Sequence, residues 1–294
     1  MKKIKILGAV LFCSLFSVVC VGCDLGSGNA NRGDMTWAIE SNYKNIVSIT
    51  AHFVNHTSSG TGVLIYKGGY IATNAHVIAK TVSGPGVQVN HEVASRIDIE
   101  FWTDHHYDGS WDELPKSQKS AYIKTIEPNY NTTTGTDSNS RVLYWDITED
   151  LAIIRCPSLP KGYEDNSAVI RNSAPEANPL KMGEPVVAMG FSLAEYYRSS
   201  VGVVSMTWSE LKGTTNDEDS IQKNIKYAIM HDAITVPGNS GGPIFDALGR
   251  CMGLNTLIAL LETTDKNVLS LGLGLSIALS SRTILSKMSM LGLI

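Results

Sequence analysis

From Trp37 to about residue 280 the chain reads as a succession of short apolar or alternating runs broken by glycine-marked turns. "NIVSITAHFV" (45–54), "GTGVLIYKGG" (60–69), "YIATNAHVI" (70–78), "RIDIEFW" (96–102) and "DLAIIRC" (150–156) come first. "EPVVAMGF" (184–191), "SVGVVSMTW" (200–208), "IKYAIMHDA" (225–233), "GPIFDALGRCMGLNTLIAL" (242–260) and "LGLGLSIAL" (271–279) follow. So many short strands at close spacing specify an all-β barrel or sandwich. The polar stretches 103–121 and 129–140 read as surface insertions around "AYIKTIEP". A polar, Pro/Asn-rich segment at 161–182 reads as a linker between two halves, 37–160 and 183–294. The tail changes period: Ile284, Leu285, Met288 and Leu291 recur at helical spacing behind a serine, predicting a terminal helix packed on a barrel.

Residues 1–22 stand apart. Lys2, Lys3 and Lys5 precede an apolar run from Ile6 to Gly22, the pattern of a secretory signal. The run ends in "CVGC", which is similar to a bacterial lipoprotein signal and predicts a lipid on Cys23, followed by a flexible tether over 23–36. More than one acyl chain is needed for stable anchoring. The formal charge of −4 becomes more negative once three lysines leave with the signal, so no basic footprint points to nucleic acid. Only Cys156 and Cys251 remain in the body, too few for a disulfide framework or a zinc site, and two buried thiols are expected.

The loop "TVPGNSGGPIFD" (235–246) carries the chemistry. It crowds glycine and proline around Ser240, either as a plain turn or because something must come close to that serine's backbone. Gly241-Gly242-Pro243 cannot readily start a helix, and no histidine follows Ser240. Both facts exclude the strand–serine–helix elbow, whose histidine comes last in the chain. An early aspartate before the histidine is also excluded, because only Asp24 and Asp34 precede His76. The remaining order is His, Asp, Ser, met by His76, Asp150 and Ser240.

"TNAHVI", "DLAII" and "GNSGGP" resemble the three signatures of chymotrypsin-fold serine proteases. The fuller set "GTGVLI…GGYIATNAHVI", "GEPVVAMGF", "SVGVVS", "HDAITVPGNSGGPIFDALGRCMGLNT" and "LGLGLSIALS" is similar to the bacterial HtrA/Deg-type protease domain over about residues 37–290. The resemblance implies two six-stranded antiparallel β-barrels, the first (37–160) carrying His76 and Asp150, the second (183–294) carrying Ser240 and the terminal helix. It implies Ser240 as nucleophile, His76 as general base and then acid, and Asp150 as the group that orients the imidazole. It implies an oxyanion hole from the backbone N–H groups of Gly238 and Ser240, and a specificity pocket from Thr235, Val201 and Ile258. Asn255 and Thr256 resemble the strand that pairs with substrate backbone. Asn239 lacks the charge that pairs with a newly cut N-terminus in trypsin-like zymogens, so that mode of activation is not expected. Asp232 is read as structural, and Ile234 replaces the carboxylate of an Arg/Lys-specific pocket.

Protein or peptide substrates, no cofactor, an exported enzyme at the cell envelope and a trimer are what the resemblance implies. The peptide-binding PDZ module common in the family is not expected. "TDHHYDGSWDE" (103–113) is read as a solvated loop and not a metal site, and "HEVAS" (91–95) lacks the second histidine of a zinc-protease motif. The alternative from another class is a catalytically silent protease-fold protein that binds or scaffolds at the cell envelope.

Overall fold

The structure is a computed structural model describing residues 34–84, 87–128, 141–192, 196–207, 209–214, 222–260 and 272–294. The expected signal, Cys23, the tether as far as residue 33 and the 129–140 insertion lie outside the described residues. A short helix, α1 (Thr36–Glu40), opens the body. Strands β1 (Ile46–His52), β2 (Thr57–Tyr66) and β3 (Tyr70–Thr73) run antiparallel into a one-turn helix, α2 (Ala75–Ile78). A separate hairpin follows, β4 (Ala79–Gly84) with β5 (Val87–Val93). Next come β6 (Arg96–Phe101), the short helices α3 (Asp104–Asp108) and α4 (Lys116–Lys119), β7 (Ile123–Ile126), β8 (Val142–Asp146) and β9 (Leu151–Arg155). Excluding the hairpin, these strands form one sheet ordered β7-β6-β1-β2-β3-β9-β8. The first barrel therefore has seven strands and, among the described residues, stays open between β7 and β8, where six strands were expected. The extra strand is β8, whose mostly half-buried residues give no alternation to read.

The second barrel is closed and six-stranded. Its strands are β10 (Pro185–Ser192), β11 (Tyr196–Thr207), β14 (Ile229–His231), β15 (Pro243–Asp246), β16 (Cys251–Leu260) and β17 (Gly272–Ser280), ordered β10-β11-β14-β17-β16-β15. A small hairpin, β12 (Glu210–Thr214) with β13 (Gln222–Lys226), interrupts it in sequence.

Side chains alternate across a strand, and several strands here bury both faces. Val47 and Ile49 of β1, Leu64 of β2 and Ala152 and Ile154 of β9 fill the first barrel. Their neighbours Ile46, Val63, Leu151 and Ile153 face a second cluster, shared with Val187, Met189, Phe245 and Leu254 of the other barrel. That shared layer explains why the strands read as nearly continuous apolar runs. The tail forms α5 (Ser281–Met290), capped by the Ser280 hydroxyl, with Ile284 and Met288 buried in the same layer. Lys287 of α5 pairs with Glu149 at 2.8 Å, pinning the helix beside the turn that carries Asp150.

The 103–121 insertion is not merely surface. His106 stacks on Trp111, and Tyr197 of β11 stacks on Trp102 and donates its hydroxyl to the Glu100 carbonyl at 2.7 Å. This aromatic group staples the second barrel to the first. The linker is held by Arg171, whose buried guanidinium donates to Glu184 at 2.6 Å and lies 3.4 Å from Asp246. Cys156 and Cys251 are buried free thiols, pushed up to about 11 and about 12 by burial.

Candidate active site

The strand β3 ends at Thr73, and Asn74 with extended backbone turns the chain into α2, which presents His76. Asp150 sits at the start of β9, fully buried, with φ +57. That is the left-handed region, sparsely populated by residues with a Cβ and concentrated at functional sites. In this conformation both carboxylate oxygens lie 2.9 Å from His76 Nδ1, and Oδ1 also accepts the His76 backbone N–H at 3.1 Å. A carboxylate only accepts, so the ring proton sits on Nδ1 and Nε2 carries the lone pair.

Ser240 lies in the loop before β15. Gly238 and Gly241 flank it with φ +96 and +80. A Cβ on Gly241 would lie 2.2 Å from the Thr61 carbonyl and 2.3 Å from the Thr73 hydroxyl, so neither the dihedral nor the space admits a side chain. Gly60 of β2 fits between Val77, the residue after His76, and the Ser240 carbonyl; a Cβ there would stand 2.5 Å from one and 3.0 Å from the other. The two motifs meet at that close approach.

The loop's carbonyls are held from behind. Thr61 N–H donates to the Ser240 carbonyl at 2.8 Å and Thr61 Oγ1 to the Gly238 carbonyl at 2.7 Å, while Phe191 N–H donates to Thr61 Oγ1. Gly241 N–H donates to the Asn255 carbonyl, and Asn255 donates to the Gly242 carbonyl through both backbone and side chain. Among the described residues, the N–H groups of Gly238 and Ser240 donate to no backbone carbonyl. The loop therefore offers two uncommitted backbone donors on either side of Asn239.

A cavity of about 40 Å³ opens beside Ser240, lined by Thr235, Val236, Pro237, Asn239, Asn255 and Thr256. Thr235 Oγ1 and Ser276 Oγ share a hydrogen bond at 2.5 Å. Of the expected pocket residues Thr235 lines this cavity, but Val201 does not: it lies on β11, half exposed. The Ile258 side chain is outside the described set. Asn255 differs from its expected place on a substrate-pairing strand, because its N–H and C=O are both engaged by the nucleophile loop. Ile234 is exposed and faces a separate cavity of about 200 Å³ with Ser192, Arg198 and Asn239. Asn239 is buried and accepts from Ser192 Oγ at 2.6 Å, and Asp232 accepts from the Val203 N–H at 2.6 Å. Among the described residues no three His, Cys, Asp or Glu side chains converge on a metal position. His106 uses Nδ1 on Thr103 and places Nε2 3.2 Å from Glu100.

Three supports were not read from sequence. Thr61 lies 177 positions from the Gly238 carbonyl it binds, with no local signal. Asn74 stands inside "TNAHVI", where nothing local distinguishes it from an ordinary turn residue. His231, fully buried, contacts Asn255 Oδ1 through Nε2 at 2.9 Å and so backs the loop's own support. Burial pushes its pKa down to about 4.

A trypsin-like peptidase domain matches residues 60–254. Serine protease PepD of Mycobacterium tuberculosis is 31% identical over 134 residues, 45% of this chain and 27% of that protein. Serine protease HTRA3 of Homo sapiens is 27% identical over 200 residues, 68% of this chain and 33% of that protein. The chain thus spans a third or less of the length of these relatives. Among solved structures, the HtrA-type protease AlgW with tripeptide aligns at 19% identity and TM-score 0.56, over 87% of this chain and 62% of that one. At that identity the likeness speaks for the fold alone.

Proposed function

The chain belongs to the trypsin-like peptidase domain family, and on that premise we propose that it is an exported serine endopeptidase acting through Ser240, His76 and Asp150. The observation that carries the reading is the Asp150–His76 pair beside a serine loop with two uncommitted N–H groups. A serine hydroxyl needs a base to become a nucleophile. With its proton on Nδ1, His76 presents Nε2 as that base. Ser240 Oγ attacks the substrate carbonyl carbon as Nε2 takes its proton, and the carbonyl oxygen becomes an oxyanion facing Gly238 N–H and Ser240 N–H. The imidazolium then protonates the leaving amine, and water repeats the sequence on the acyl-enzyme. Asp150 holds the ring and stabilises its charged form. Losing one oxyanion donor typically lowers kcat by about 10²–10³.

The reading requires Ser240 Oγ to come within hydrogen-bond reach of His76 Nε2 in the complex with substrate, where such contacts are often tighter than in the enzyme alone. The small cavity beside Ser240, with Thr235 and Thr256 on its walls, suits a small or medium apolar side chain at the cleavage site. Exposed segments of unfolded proteins are the substrates such a cleft admits. Export, a lipid on Cys23, an envelope location and trimer assembly belong to the same proposal, and rest on the sequence of residues 1–23 and on the family resemblance.

The test compares wild type with Ser240→Ala on unfolded casein, together with fluorophosphonate labelling. Wild type should cleave and label, and the variant should do neither. A folded wild type that does neither on several unfolded substrates would leave the silent binding protein as the better reading.

A further inference from the structure

We propose that Asn74 is a positioning residue for the acid of the triad, holding Asp150 in the conformation that brings its carboxylate onto His76. This rests on the peptidase reading for its kinetic consequence but not for its geometry. Asn74 is fully buried, and its amide nitrogen donates to the Asp150 carbonyl at 2.8 Å and to Thr256 Oγ1 at 2.8 Å. A carbonyl oxygen can only accept, so the nitrogen, and not the oxygen, of the amide must face Asp150. The amide's own Oδ1 is buried with no hydrogen bond. A buried acceptor left unmatched is costly, so this side chain is present for its two donors and not as filler.

Asp150 is where those donors matter. Its φ of +57 is disfavoured by its own Cβ and persists only if the surroundings fix it. His76 fixes the carboxylate end, and Asn74 fixes the carbonyl end. Rotation of the backbone back to an extended form would swing the carbonyl off Asn74 and the carboxylate off Nδ1 together. The second donor adds a link across the barrels. Thr256 belongs to β16 and lines the cavity beside Ser240, accepts from Asn74, and donates on to the Leu254 carbonyl. One amide therefore ties the acid of the first barrel to a wall of the substrate cavity in the second.

The experiment replaces Asn74 by Ala and reads two signals: the far-downfield proton NMR resonance of the His76 Nδ1–H bound to a carboxylate, and kcat and KM separately on one peptide substrate. Thr256→Val serves as the partial variant, because it removes one leg and leaves the Asp150 carbonyl bonded. Asn74→Ala should lose or broaden the resonance, with kcat lower by about tenfold to a hundredfold and KM little changed. Thr256→Val should keep the resonance. An Asn74→Ala protein that is folded and keeps both the resonance and kcat overturns the proposal, as does a wild type without the resonance. If Asn74→Ala does not fold, Asn74→Ser, whose hydroxyl is too short to reach both acceptors, is read the same way. A wild type that shows the resonance but cleaves nothing ends the peptidase reading, while the spectrum of the variant still decides the role of Asn74.

Discussion

Replacing His231 by Gln should remove most of one acid-sensitive contribution to stability. His231 is fully buried on β14 and contacts Asn255 Oδ1 through Nε2. In the neutral ring Nε2–H donates, and Nδ1, which makes no hydrogen bond, would receive the extra proton. Burial lowers its pKa from 6.5 to about 4, with Asn255, the neighbouring Asp232 and the Ala233 backbone pulling the other way. Below pH 6.5 the unfolded chain binds a proton at this ring and the folded chain does not, so stability falls as pH drops. The loss stops once pH passes below the folded value. Integrated over that window it amounts to about 3 kcal/mol at pH 4. Glutamine keeps a donor towards Asn255 and cannot titrate. Urea unfolding at pH 7 and pH 4 should show wild type losing about 3 kcal/mol more than His231→Gln. Carboxylates that titrate in the same range are common to both proteins and cancel in the difference. Equal losses in the two proteins would refute the assignment of a neutral, desolvated His231.

Two further outcomes follow from packing. Gly241→Ala forces a Cβ into the Thr61 carbonyl at φ +80, and should lower stability by about 2 kcal/mol or more and abolish fluorophosphonate labelling of the folded fraction. Arg171→Met removes the guanidinium partner of the Glu184 carboxylate, which among the described residues keeps only the Lys181 N–H at 2.9 Å, and weakens the hold on Asp246, which keeps Arg250 at 2.7 Å. Thermal or urea denaturation should register a loss of about 3 kcal/mol, with labelling per folded molecule unchanged.

The all-β plan was legible in its short apolar runs, and the two barrels and the His76–Asp150 pairing in the resemblance of the motifs around His76, Asp150 and Ser240. What was not legible is held by distant contacts. Polar composition hid the 103–121 insertion, whose His106 side chain is only 6% exposed beneath its charged neighbours and stacks on Trp111. Val201 has a pocket-like place in the motif, yet strand alternation on β11 turns it outward. Asn255 resembles a residue of the substrate-pairing strand, but its backbone N–H and C=O are both taken by the loop around Ser240, a contact with no local signal.

That last point bears on how the site is built. A loop rich in glycine has little side-chain packing of its own and a large backbone entropy to overcome. Here the loop is fixed from both barrels at once, by Thr61 of β2 on one side and Asn255 of β16 on the other. Each support binds carbonyls or inner N–H groups and, among the described residues, leaves Gly238 N–H and Ser240 N–H without a backbone acceptor. The same division recurs at the acid, where the Asp150 carbonyl is bound by Asn74 and the carboxylate is left to His76. In both places one end of a strained backbone segment is anchored by a residue with no chemical task. The other end is thereby kept in the orientation that the proposed proton transfer and oxyanion binding would use.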